Sequence, residues 1–258
     1  MSYDSSIDWT EATWNPTTGC SHISAGCAHC YAERLAKRLQ AMGNPNYTNG
    51  FKVTLHEHML AVPMSWKKPR MVFVNSMSDL FHTKVPFEFV DRVFATMRGC
   101  PQHTFQVLTK RSGRMLAYAR RLNKWPQNVW MGVTVESARY HHRIRDLQKV
   151  PAEVRFLSCE PLIAPVGQMP LKDIHWVIVG GESGPGARPM RKEWVESVQR
   201  RCERYDVPFF FKQWGGVRKD LTGHELNGDV YHEYPDRHPA ERMSRDLVAA
   251  DAPGPASH

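Results

Sequence analysis

The 258-residue chain carries 34 Lys and Arg against 26 Asp and Glu, a formal net charge of +8, with 41% hydrophobic residues and eight tryptophans. That content is ample for a core, and no apolar run approaches the roughly 18 residues of a membrane-spanning helix, so a soluble protein without a membrane partner is expected. Six cysteines in a chain this long do not make a disulfide scaffold, and Met1-Ser-Tyr-Asp-Ser-Ser lacks the basic start and apolar stretch of a secretory signal, so a cytoplasmic location is expected.

In chain order, short apolar runs alternate with longer amphipathic ones. Glu11 to Asn15 feeds a cysteine-bearing loop, and a helix is predicted from Tyr31 to Ala41. The segment from Asn44 to Pro69 interrupts the pattern with Gly, Pro and Asn, either as a lid-like insertion or as an extended strand with its own turn. Its His56-Glu-His58 reads as two side chains on one strand face, since alternate residues share a face. Strands are then predicted at Met71 to Asn75, Thr104 to Thr109, Val129 to Val135, Val154 to Ser158, Trp176 to Gly180 and Pro208 to Lys212. Helices between them are predicted at Pro86 to Met97, Ser112 to Leu122, Ala138 to Lys149 and Lys192 to Tyr205. Almost continuously apolar strands separated by helices imply a parallel sheet covered on the outside. The fold class is therefore α/β, a partial (β/α) barrel, with an open doubly wound sheet as the alternative. The barrel is assigned to residues 1–217, and the polar remainder, 218–258, is an extension expected to be disordered at its end.

Cys20, Cys27 and Cys30 fall within eleven residues, in Thr18-Gly-Cys-Ser-His-Ile-Ser-Ala-Gly-Cys-Ala-His-Cys-Tyr. Gly19 and Gly26 allow the backbone to turn the sulfurs inward. Three thiols on one short loop point to a metal or a cluster. A structural zinc site is closed by four ligands and would need His22 or His29, whereas a four-iron cluster on three thiolates leaves one iron open to a substrate or cofactor. No fourth cysteine lies nearby: Cys100 and Cys202 read as small buried residues, and Cys159 stands beside Glu160 at a predicted strand end.

Functional groups of parallel α/β folds collect where strands end. Here those ends carry Asn75-Ser-Met-Ser-Asp79, Thr109-Lys110-Arg111, Thr134-Val-Glu136, Ser158-Cys-Glu160, Gly181-Glu-Ser-Gly184 and Lys212-Gln-Trp214, a polar rim read as an active site. Basic groups at Lys67 to Arg70, Lys110 to Arg114, Arg120 to Lys124 and Arg200 to Arg204 are either solvated helix faces or, together, a surface for nucleic acid.

The cysteine loop resembles that of radical S-adenosylmethionine (SAM) enzymes, with six residues between the first two cysteines where that family usually has three. Trp14-Asn-Pro-Thr-Thr-Gly-Cys, Cys27-Ala-His-Cys-Tyr-Ala-Glu, Gly180-Gly-Glu-Ser-Gly-Pro and Phe211-Lys-Gln-Trp-Gly together resemble a phage- and bacteria-associated family of cluster proteins, distantly similar to spore photoproduct lyase. The resemblance implies a [4Fe-4S] cluster on Cys20, Cys27 and Cys30, SAM on the open iron, an external electron donor, and cleavage of SAM to a radical that abstracts hydrogen. By position it implies Ser76, Ser78 or Asp79 at the SAM amino group and Glu136 or Glu160 at the ribose, with Gly180, Gly181 and Glu182 close to the ligand. Cys159 would return a hydrogen atom, with simple burial as the alternative reading of that residue, and Tyr31 or Tyr140 would be a relay, neither being selected by its spacing. A UV-damaged thymine lesion is the implied substrate, and on DNA, Lys110, Arg111 and Lys212 would hold phosphate while Trp214 stacks on an extruded base. The alternative is a zinc-stabilised, non-enzymatic nucleic-acid-binding or phage-associated interaction protein.

Overall fold

The structure is a computed structural model, which describes residues 5 and 7–235; the predicted disordered end lies outside the described residues. Strand β1 (Ala12–Trp14) leads through β2 (Thr17–Thr18) into the cysteine loop and helix α1 (Tyr31–Ala41), and β3 (Thr54–Leu55) follows. The chain then alternates regularly: β4 (Met71–Val74), α2 (Phe87–Gly99), β5 (Thr104–Thr109), α3 (Ser112–Ala119), β6 (Val129–Thr134), α4 (His141–Leu147) and β7 (Arg155–Cys159). β8 (Trp176–Gly180), α5 (Lys192–Tyr205), β9 (Phe209–Gln213), α6 (Lys219–Thr222) and a small hairpin of β10 (Glu225–Leu226) and β11 (Asp229–Val230) complete it.

The main sheet has seven strands, all parallel, in the order β1-β4-β5-β6-β7-β8-β9. That order decides between the two predicted architectures. A doubly wound sheet reverses its strand order midway so that helices cover both faces. Here every step goes to the next neighbour in the same direction, and right-handed crossovers then put all the helices on one face. The sheet curls around its helix-free face into a partial barrel, with β1 and β9 as its terminal strands.

Side-chain alternation divides the strands between two cores. Val72, Val107, Met131, Leu157, Val177 and Phe211 point outward into the layer shared with the helices. Met71, Phe73, Trp130, Phe156, Trp176 and Phe210 point inward and fill the lower barrel. Gly132 lies in this inner column because the Phe156 ring occupies its side-chain space, 2.5 Å from where a Cβ would stand. Toward the carboxyl ends of the strands the inward positions turn polar.

The insertion is neither a lid nor an extended strand: apart from β3 it is a series of 3₁₀ turns at Pro45–Tyr47, Glu57–Met59 and Val62–Ser65. β3 pairs antiparallel with β2, bracing the start of the cysteine loop. His56 and His58 do not share a strand face, since one precedes and the other lies within a 3₁₀ turn; each is hydrogen-bonded, to Thr18 Oγ1 (2.8 Å) and Asn46 Oδ1 (3.1 Å). The segment after the hairpin was read from sequence simply as polar extension, yet it returns to cover the open edge of β9. Phe211 N–H donates to the Tyr231 carbonyl (2.8 Å), and Trp176 Nε1 donates to that of Glu233 (2.8 Å). Tyr234 packs on Trp176 and donates through its hydroxyl to the Asp8 carbonyl (3.3 Å), so the strap ties β9 to the lead-in of β1.

Candidate cofactor site at the barrel mouth

A cavity of about 570 Å³ opens at the carboxyl ends of the strands. Cys20, Cys27 and Cys30 all line it, opposite Asn75, Ser76, Ser78, Asp79, Lys110, Thr134, Ser158, Glu160 and Lys212, while Trp9, Phe73 and Leu108 form part of its apolar wall. The sequence places Asn75 in the polar rim without giving it a ligand role. The signal was available in the alternation: Met71 and Phe73 face inward, so the next inward position is Asn75.

The cysteine loop is held over the mouth by three acid–arginine pairs, one beneath each part of it. At its start, Arg111 Nη1 donates to Asp79 Oδ2 (2.9 Å) and to Cys20 Sγ (3.5 Å), while Nη2 donates to the Ser21 carbonyl (2.9 Å). Gly19 there has φ +80°, and a Cβ would stand 2.3 Å from the Lys52 carbonyl oxygen, so a side chain would be excluded by both conformation and space. In the middle, Glu136 Oε1 accepts from Ser24 Oγ (2.5 Å), Glu136 Oε2 accepts from Arg143 Nη1 (2.8 Å), and the Ala25 N–H donates to Tyr140 Oη (3.2 Å). At its end, Glu182 holds His29 Nδ1 (3.0 Å) and accepts three hydrogen bonds from Arg188. Arg34 of α1 adds bonds to the carbonyls of Ser183 (2.7 Å) and Pro185 (3.0 Å).

The surroundings make the thiols unequal. Burial and the Asp79 carboxylate push Cys20 up, against the opposing Arg111 guanidinium. Cys27 is also desolvated, but hydrogen bonding from the Ile23 backbone, the Lys110 ammonium and the Ser24 hydroxyl outweigh this and hold it below the ordinary thiol range. Glu182 is buried, which opposes its charge, yet its bonds from Arg188 and His29 hold it at about 2, below the ordinary 4.5. A depressed carboxylate stabilises the fold above its unfolded pKa and loses that contribution as pH falls toward its folded value. The Glu182 contribution, up to about 3 kcal/mol at neutral pH, is therefore expected to disappear between about pH 4.5 and about 2. Acid-unfolding curves of wild type and Glu182→Gln should converge over that interval.

Many of the residues expected at a ligand are also bonded within the protein. Glu136 is fully buried with both oxygens engaged, and Tyr140 receives a loop N–H while its ring lies 4.1 Å from the Arg143 guanidinium carbon. Both support the loop, and neither lines the cavity. Asp79 and Arg111 line the cavity but are paired with each other. Ser78 Oγ donates to the Thr17 carbonyl (2.8 Å) and Ser76 Oγ to Asn15 Oδ1 (3.2 Å). Lys212 Nζ lies 3.2 Å from Glu160 Oε1. Trp214 donates to the Glu225 carbonyl (2.9 Å) and packs on Phe211. Gly180 sits against the Glu160 side chain and Gly181 against the Trp214 carbonyl. Tyr31 remains at the mouth, its hydroxyl donating to the Ser76 carbonyl (2.6 Å). Cys159 faces away from the cavity: Ser158 and Glu160 point in, so Cys159 points out, fully buried beside Met169 Sδ at 3.9 Å. Burial raises its pKa well above the ordinary thiol value. Lys110 lines the cavity; its backbone N–H donates to Asp79 Oδ2 (3.3 Å), while its ammonium donates to Thr134 Oγ1 (3.3 Å) and forms no ion pair with a carboxylate among the described residues.

Among the described residues no three His, Cys, Asp or Glu side chains converge as a single-ion site requires. The two histidines available to close a zinc site are turned to carboxylates, His22 to Glu33 (3.0 Å) and His29 to Glu182 (3.0 Å). The donor set is three cysteine thiols around a roomy cavity.

A sequence profile for the family described as "Protein of unknown function (DUF5131)" matches residues 4–235. The chain belongs to this family. No functionally curated protein matches the DUF5131 chain. Among solved structures, it is similar to a cysteine-to-serine variant of spore photoproduct lyase, with 12% identity and a TM-score of 0.47 over 97% of this chain and 75% of that one. It is also similar to a double variant of spore photoproduct lyase described with bound AdoMet and dinucleoside spore photoproduct, with 11% identity and a TM-score of 0.46 over 96% and 75% of the respective chains.

Proposed function

We propose that this protein is a radical SAM enzyme, with Cys20, Cys27 and Cys30 holding a [4Fe-4S] cluster whose fourth iron is left for SAM. The observation that carries this reading is that one loop delivers three cysteine thiols to a single cavity at the mouth of a partial barrel, while the loop histidine that also lines it, His29, is engaged by Glu182. When bound, the cluster supplies the one-electron chemistry that converts SAM into a hydrogen-abstracting radical. The protein contributes positioning. Arg111 donates to Cys20 Sγ, the Lys110 ammonium offsets negative charge near Cys27, and Trp9, Phe73 and Leu108 provide the apolar wall away from the loop.

The substrate we propose is a damaged pyrimidine in DNA, in a lyase-type repair reaction. The net charge of +8 favours a polyanion. At the cavity, the side chains of Lys110 and Arg34 form no ion pair with a carboxylate among the described residues, whereas those of Arg111 and Lys212 are paired. Phosphate contact therefore falls to Lys110 and Arg34, and hydrogen return to a group other than Cys159. The test is anaerobic reconstitution with iron and sulfide, dithionite reduction and SAM addition, followed by electron paramagnetic resonance and 5′-deoxyadenosine assay, first without and then with irradiated thymine-rich DNA. A reduced-cluster signal altered by SAM, with 5′-deoxyadenosine formed, is expected. Stoichiometric zinc with neither signal nor cleavage would overturn the reading in favour of the zinc-stabilised binding protein.

A further inference from the structure

The six-residue separation of Cys20 and Cys27 leaves Ser21 to Gly26 as a stretch that bears no thiol, and the fold gives that stretch a seat. Ser24 is extended and caps a 3₁₀ turn at Ala25–Cys27. Ser24 lies between two groups: its hydroxyl oxygen is 2.5 Å from Glu136 Oε1 and 3.6 Å from Cys27 Sγ. Glu136 stands just beyond the end of β6, inward-facing and fully buried. A Cβ at Gly26 would come within 2.6 Å of Glu136 Cγ and Oε1, so the carboxylate lies directly under the loop backbone. Arg143 fixes the carboxylate from below, bonding Glu136 Oε2 and the Thr134 carbonyl through Nη1, each at 2.8 Å. The same guanidinium lies against the Tyr140 ring, and Tyr140 Oη accepts the Ala25 N–H.

From this arrangement we infer that Glu136 is a positioning residue for the Cys27 thiol, acting through Ser24, with Arg143 and Tyr140 as its support. The extra length of the loop supplies the residues that dock on this seat. A buried carboxylate held on both oxygens has little freedom, and a charge-assisted hydrogen bond is stronger and more directional than a neutral one, so the site of Ser24 is fixed relative to the sheet. Fixing Ser24 fixes the turn that carries Cys27. This inference rests on the cluster reading for its purpose, but the seating itself is a property of the protein alone.

The test uses the full chain in three variants. Ser24→Ala removes the hydroxyl and leaves the Glu136–Arg143 pair intact; Ser24→Thr keeps a hydroxyl; Glu136→Gln removes the charge and leaves Arg143 unpaired. Hydrogen exchange of the peptide spanning residues 21–30 is measured in the chain free of iron, and bound iron and sulfide are measured after anaerobic reconstitution. In Ser24→Ala, exchange of this peptide is expected to rise about tenfold with the β6 and α4 peptides unchanged, cluster content is expected to fall, and Ser24→Thr is expected to restore both. Glu136→Gln should do the same to the loop. Loop exchange in Ser24→Ala within about twofold of wild type, or a rise spread equally over the barrel strands, would overturn the proposal. If wild type takes up no iron and sulfide, the cluster reading fails while the exchange result still decides the role of Glu136.

Discussion

Replacing Cys27 by serine is expected to abolish SAM cleavage while leaving the fold in place. All three loop cysteines are only partly buried and the chain holds no disulfide among its described residues. The loop is tied down by Arg111, Glu136, Glu182 and Arg34 through groups other than the Cys27 sulfur. Thermal unfolding of the metal-free variant should therefore remain within about 2 °C of metal-free wild type, since serine is nearly isosteric with cysteine and the bonds that seat the loop do not pass through the sulfur. Cluster loading is a different matter, because serine replaces a thiol whose pKa the surroundings lower with a hydroxyl that is far harder to deprotonate for binding iron. Reconstituted iron, the reduced-cluster resonance and 5′-deoxyadenosine should all fall to background. Collapse of folding accompanied by release of zinc would instead identify a structural metal site. Cys159→Ala provides the contrast: its thiol lies in the helix–sheet layer, so cluster content and SAM cleavage should survive it.

The same contrast shows what the sequence discloses and what it conceals. Runs such as Met71–Val74 and Trp176–Gly180 are apolar throughout because they are buried on both faces, and this made the strands readable without the structure. The rim was readable too, because polar residues follow each run. Which of two adjacent rim residues faces the cavity depends on parity, and position at a strand end alone leaves Cys159 open to either reading, hydrogen donor or simple burial. Counting from Phe156, which faces inward, gives Ser158 and Glu160 to the cavity and Cys159 to the helices. The acid–arginine pairs were concealed for a different reason. Asp79 and Arg111, or Glu182 and Arg188 under His29, meet across loops that follow different elements or return from a turn, and nothing local in the sequence marks such encounters. Residues expected to meet a ligand therefore also meet one another. The strap at Tyr231 to Tyr234 was overlooked because its two tyrosines are embedded in a polar stretch, although aromatic residues recurring there were a sign of burial.

That strap makes Trp176→Ala the substitution with the largest expected cost to stability. The indole is fully buried at the base of the barrel and contacts Trp9, Trp130, Phe156, Phe210 and Tyr234. Truncating a tryptophan in such a place costs about 3–5 kcal/mol, because the lost burial is joined by a cavity that its neighbours cannot fill. Its Nε1 also donates to the Glu233 carbonyl, so the truncation removes the bond holding the strap across the open edge of β9. The melting temperature is expected to drop by about 10 °C or more. Trp176→Phe separates the two effects: it keeps most of the ring, loses the N–H, and should cost only about 1–2 kcal/mol. If Phe proves as damaging as Ala, the strap bond dominates; if Phe is nearly neutral, packing does. Either result bears on the site, because Trp9 lies against Trp176 and also lines the cavity. Trp176→Ala removes that support, so binding of SAM to the reconstituted protein, measured by calorimetry below the new melting temperature, is expected to weaken together with stability. Unchanged affinity in a destabilised chain would show instead that the mouth is held by its three acid–arginine pairs alone, independently of the barrel floor.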